Sequence, residues 1–100
     1  MKEKKMQKYT NDELDKRLKA IGKGIFVKYF EDFKSGKDDV LSEENFEVHS
    51  KQTRISKARS IFNTSQEYEA LENIVCSEKV DEVYRKKAEQ ILMAKNNTHQ

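Results

Sequence analysis

Few side chains in this sequence are suited to covalent or metal chemistry, and those few stand far apart. Cys76 is the single cysteine, and His49 and His99 are the two histidines. Nucleophilic catalysis needs a Cys or Ser beside a histidine that an acid orients. His49 is the one imidazole outside the C-terminal tail, and nothing nearby completes such a set. Cys76 ends an apolar helical stripe, a setting that predicts a small core residue. One cysteine and two distant histidines offer no zinc-ligand spacing. The run "GKG" at Gly22 to Gly24 lacks the remaining glycines and the Lys-Ser/Thr ending of a phosphate loop. The acids of "KDDVLSEENFEV" miss the Asp-x-Asp-x-Asp-Gly register of a calcium loop. Abundant glutamates in a chain with 38% charged residues read as solvated surface. The expectation is a protein without catalytic residues, metal or cofactor.

The order of the charges says more than their number. Asp38 to His49 holds five acids and no base, and Thr64 to Glu78 holds four acids and no base. Between them lies "SKQTRISKARSIF", with Lys51, Arg54, Lys57 and Arg59 and no acid. On a helix, Ile55, Ala58, Ile61 and Phe62 are expected to face inward, with Lys51, Arg54 and Lys57 as an outer row. Gln52, Thr53 and Ser56 stand beside that row, able to hydrogen-bond phosphates or base edges. The letters "HSKQTRISKAR" loosely resemble the recognition half of a helix-turn-helix motif. Such halves run from a small residue through Ser-x-x-Thr to an apolar-Ser-x-Ala segment that docks the helix. Here His49 takes the place of the turn glycine, and Arg54 adds a residue between Thr53 and Ile55. The resemblance implies a helix-turn-helix-like pair around residues 42–62, its second helix entering a major groove. The DNA-contacting set would be Lys51, Gln52, Thr53, Arg54, Lys57 and Arg59, in a small transcription-regulator-like protein.

A second surface offers an alternative. "IFVKYFEDF", residues 25–33, spreads apolar side chains around more than one helical face. Burial on most sides is the plain reading. An exposed edge of Phe26, Val27 and Phe30 would instead dock a protein partner or a second copy of the chain, as in an inhibitor or accessory factor. Ion pairs from Arg54 and Lys57 to Glu44, Glu47, Glu67 or Glu69 would favour that alternative.

The elements that must position these residues are helical. Proline is absent and there are three glycines, Gly22, Gly24 and Gly36, which disfavours turn-rich β structure. Thr10-x-x-Glu13 reads as a capping box. Leu14, Leu18, Ile21, Ile25, Tyr29 and Phe33 predict a helix from Asn11 to Lys34, stopped by Gly36 and kinked, broken or closely approached at "GKG". Ser42 is expected to cap a short helix toward Val48. Further helices are expected to Phe62, from a Thr64-x-x-Glu67 capping box to Val75, and from Ser77 to Lys95. Val80, Val83, Tyr84, Ala88, Ile91 and Leu92 would line the inner side of the last. The predicted architecture is all-α, a compact bundle or orthogonal array of four to five helices. A single domain over 10–95 lies between flexible tails at 1–9 and 96–100. No run of about 18 apolar residues is present for a membrane span. Sparse cysteine and the absence of a signal-peptide pattern predict a cytoplasmic protein.

Overall fold

The predicted capping box is where the described chain first becomes regular. Glu13 N–H donates to Thr10 Oγ1 at 3.2 Å, and Thr10 N–H donates to Glu13 Oε1 at 3.0 Å. These bonds satisfy two of the donors that a helix start leaves unpaired. The computed structural model describes residues 8–37 and 39–97. Residues 1–7, 38 and 98–100, which include most of both expected tails, lie outside the described residues. The described residues form six helices: α1 (Asn11–Ile21), α2 (Lys23–Lys28), α3 (Phe30–Ser35), α4 (Val48–Asn63), α5 (Glu67–Val75) and α6 (Glu82–Asn97). They contain no strand, and none of their helices is long and apolar enough to cross a membrane.

The long first helix expected from the apolar spacing is three helices. Gly22 closes α1 through its N–H to Leu18 O, at a φ of +98° that side chains with a Cβ rarely adopt. Phe26 N–H returns to Gly22 O to open α2. The break resets the inward face. Leu14, Leu18 and Ile21 are buried in α1, whereas Phe26, Val27, Phe30 and Phe33 are buried in α2 and α3. Ile21 and Phe26 would differ by about 140° on one continuous helix. A second break at Tyr29 separates α2 from α3, and Gly36, at φ +79°, stops α3 as predicted.

α4 packs against α1 and α3, and α6 packs against α5 and α2. The core runs from Leu14 through the aromatic group Phe26, Phe30, Phe33, Phe62 and Tyr68 to Ile74 and Ala88. Phe26 meets Phe30 edge-on at 5.7 Å and stacks on Phe62 at 5.8 Å between ring centroids. Such pairs add about 0.5–1.5 kcal/mol each beyond area burial.

Several expected local features are corrected. No helix begins at Ser42: residues 39–47 are turns and extended chain, pinned by buried Val40 and Leu41. The helix-turn-helix-like pair around 42–62 therefore lacks its first member. Thr64 caps no helix start; its hydroxyl donates to Ile61 O and finishes α4. Ser77 likewise donates back to Asn73 O rather than opening α6. Cys76 is exposed, as is Val83 at 69%.

Candidate functional site

The basic island forms one helix, α4, but its charges do not form the expected outer row. Lys51 lies two turns before Ala58, so the helical repeat turns it to the buried side. It is half-buried near Glu44, whose carboxyl is held low first by hydrogen bonds from Tyr29 and Lys28 and last by the Lys51 charge. Arg54 lies one turn before Ala58 and points the same way. Its Nη1 donates to Ile21 O, the last carbonyl of α1, and its Nε donates to Ser50 Oγ at 3.1 Å. The guanidinium also lies 3.9 Å from the Phe46 ring centroid. Arg59 reaches the other way and donates to Gly36 O and Lys37 O at 3.1 and 2.9 Å. Two of the four island cations thus serve helix ends belonging to other elements.

That use extends beyond α4. Lys87 of α6 donates to Lys28 O, the last carbonyl of α2, at 3.0 Å. Splitting one long helix into three leaves three sets of C-terminal carbonyls without intrahelical donors. Arg54 and Lys87 supply a cation from a neighbouring helix to the last carbonyls of α1 and α2, and Arg59 bonds the two carbonyls just past α3, where the helix dipole also favours positive charge. The sequence does not announce these roles, because they depend on which helix lies across the break.

With its arginines turned aside, the outward face of α4 is His49, Gln52, Thr53, Ser56, Ser60 and Asn63, exposed or half-exposed. None of these is an acid, lysine or arginine. Lys57 stands at the border toward α1, where it shares a shallow groove with Arg17, Gln52, Thr53 and Ser56. Across the face, Gln52, Ser56, Arg59 and Asn63 line a second groove of about 430 Å³. Ser60 donates its hydroxyl to Lys57 O within the helix and keeps accepting capacity. Among the described residues neither Arg54 nor Lys57 pairs with Glu44, Glu47, Glu67 or Glu69. Of the six residues predicted to contact DNA, Gln52, Thr53 and Lys57 line one groove, Arg59 lines the groove beside it while donating to Gly36 O and Lys37 O, and Lys51 and Arg54 lie on the side of α4 nearer the core.

The aromatic surface is corrected outright. Phe26, Val27 and Phe30 are each 0% exposed. The face change at Gly22 turns them into the core, so none is free to meet a partner.

A polar cluster that sequence spacing did not reveal joins α1, α2 and the end of α5. Lys23 Nζ donates to Asp15 Oδ1 at 2.8 Å and to Ser77 Oγ at 2.7 Å. Asn73 Nδ2 donates to the same Asp15 oxygen at 3.2 Å. The hydrogen bonds from Lys23 and Asn73 hold the Asp15 carboxyl at about 2, below its ordinary 3.8. A serine beside a lysine can be a nucleophile and its base, but the directions here are wrong for that. Lys23 donates to Ser77, and Ser77 gives its own proton to the Asn73 carbonyl. The hint in sequence was only the Asp15–Lys19 pair one turn apart, seen at 3.2 Å. This arrangement staples three helices together. Among the described residues no group of three or more His, Cys, Asp or Glu is placed to hold a metal ion.

Comparison with family models, curated proteins and solved structures yields no match.

Proposed function

We propose that the protein is a non-enzymatic nucleic-acid-binding module that lays α4 against duplex DNA. The observation that carries this reading is the uncharged outer face of α4 in a chain where 38% of residues are charged. Amides and hydroxyls at Gln52, Thr53, Ser56 and Asn63 match the donors and acceptors of base edges. Gln and Asn pair with adenine, and Ser and Thr with any base. A major groove about 12 Å wide admits a helix. Lys57 on the flank supplies a phosphate contact that orients the helix without reading sequence. Arg54 and Arg59, engaged with backbone carbonyls at helix ends, are left out of the proposed contact set.

The test is fluorescence anisotropy with the full chain on mixed-sequence duplexes across a salt series. Wild type should bind at low ionic strength, with affinity falling as salt rises. Lys57→Glu should weaken every duplex alike. Gln52→Ala with Ser56→Ala should instead flatten differences between sequences, by about 1–3 kcal/mol at the base concerned. Absence of any salt-dependent binding at low ionic strength would end the reading.

A further inference from the structure

Gln66 is a polar residue that the fold buries, at 1% exposure, in the link between α4 and α5. Its carboxamide grips the backbone of Tyr9 from both sides. Oε1 accepts from Tyr9 N–H at 2.9 Å, and Nε2 donates to Tyr9 C=O at 3.0 Å. Nε2 also donates to Glu69 Oε1 at 2.9 Å. A buried amide without partners would be costly, and here each end is satisfied by one residue ahead of α1. The clamp fixes Tyr9, and the Tyr9 ring carries the Arg17 guanidinium 4.2 Å from its centroid.

Stacking holds a guanidinium by its face and leaves the N–H edge available for a forked contact. Among the described residues the Arg17 guanidinium has no hydrogen-bond or ion-pair partner, and neither has the Lys57 ammonium. Both line a groove of about 270 Å³ between α1 and α4, together with Tyr9, Glu13 and Lys16. Among the described residues lining it Glu13 is the one carboxylate, and its Oε1 already accepts from Thr10 N–H. The hydroxyls of Thr53 and Ser56 lie in the adjoining groove, which Arg17 and Lys57 also line. Three cations facing one engaged carboxylate, with neutral donors beside them, suit an anion with several acceptor oxygens.

We propose that Arg17 and Lys57 form a phosphate-binding notch, preset by the Gln66 clamp through Tyr9, that holds one backbone phosphate of the DNA lying on α4. The source of the phosphate rests on the proposed function; the notch itself does not. Arginine binds the two free oxygens of a phosphodiester in parallel, and Lys57 adds a point charge. Tyr9 and Gln66 act on the ligand only through Arg17 and are positioning residues.

The experiment has two arms on the full chain. Inorganic phosphate is titrated while the Arg17 side-chain N–H and Lys57 resonances are followed by NMR. A duplex is then bound across a salt series by wild type, Arg17→Gln/Lys57→Ala, Tyr9→Ala and Tyr9→Phe, each checked by circular dichroism. Phosphate should shift both resonances. The double variant should lower the salt slope by about 0.9, the loss of one phosphate contact. Lys57→Ala alone, which leaves the clamped Arg17 on the phosphate, should lower the slope by less than the double variant does. Tyr9→Ala should weaken binding several-fold and shrink the Arg17 response, and Tyr9→Phe should restore both. Phosphate shifts without any duplex binding would sustain the notch and remove the reading of α4. Duplex binding with a wild-type slope in the double variant, or no response to phosphate at Arg17 and Lys57, would overturn the notch. A Tyr9→Ala variant equal to wild type would overturn the preset.

Discussion

Gly22 and Gly24 stand two residues apart and serve different purposes. Gly22 has a φ of +98°, a backbone state that disfavours any residue with a Cβ. Gly24 has helical geometry, but a Cβ there would lie 2.9 Å from the Tyr84 ring. There the Tyr84 ring of α6 packs directly on the α2 backbone. Alanine in a helix gains about 1 kcal/mol over glycine, whereas forcing carbon into a packed site costs about 1–3 kcal/mol. Gly24→Ala should therefore lower stability in urea, and Tyr84→Ala in the same chain should relieve the clash. A stabilised single variant would show that the Tyr84 contact yields easily. The sequence displayed the glycines but not this division, since a φ value and a neighbouring ring are both set by tertiary structure. Thr10 and Glu13 were readable for the opposite reason: a capping box needs only four consecutive residues.

At the scale of the helix, the apolar stripe of residues 14–33 contained a warning. Three successive steps of four residues, from Ile21 to Phe33, advance about 120° around a straight helix. The fold removes that drift by breaking at Gly22 and Tyr29. Each break then needs fastening. At the first, Lys23 just beyond it bonds Asp15 of α1 and Ser77 beyond α5. At the second, Tyr29 Oη and Lys28 Nζ both donate to Glu44. The hydrogen bond from Tyr29, then that from Lys28, holds the Glu44 carboxyl below its ordinary value, and the same contact with Glu44 raises Tyr29. Both carboxyls ionise more readily in the folded chain than in the unfolded one. The stability they add is present above the unfolded values and fades as pH falls through the folded ones. For Asp15 that window runs from 3.8 down to about 2. Its side chain is 31% exposed, so after solvent screening the contribution is about 1–2 kcal/mol. Asp15→Asn should lose that stability at pH 7 and titrate more weakly between pH 4 and 2, by urea unfolding at each pH. A variant with an unchanged acid limb would remove the Asp15 staple from the account.

Over the whole molecule, 20 basic residues against 18 acids look like a uniformly charged coat. The fold sorts some of those cations by use. Arg54, Arg59 and Lys87 close helix C-termini, and Lys23 and Lys28 hold carboxylates across the breaks. Among the described residues the Arg17 and Lys57 side chains line the groove between α1 and α4 without an acceptor. The all-helical class and the extent of α4 followed from apolar spacing, because burial imposes that period wherever a helix packs; the division of the first helix into three did not. The fate of each cation did not, because it depends on which carbonyl or carboxylate the packed neighbour presents. Two classes of cation predict two separate responses to neutralisation. Arg54→Gln should cost about 1.5–3 kcal/mol, the worth of a hydrogen bond from a charged group, plus its stack on Phe46. Among molecules still folded it should leave the salt slope of DNA binding unchanged. Lys57→Gln should leave the unfolding free energy within about 0.5 kcal/mol of wild type and lower the slope by part of the about 0.9 that one whole phosphate contact is worth. Urea unfolding and salt-series anisotropy on the same two variants measure both axes. A slope that falls with Arg54→Gln would return Arg54 to the binding surface and undo the sorting.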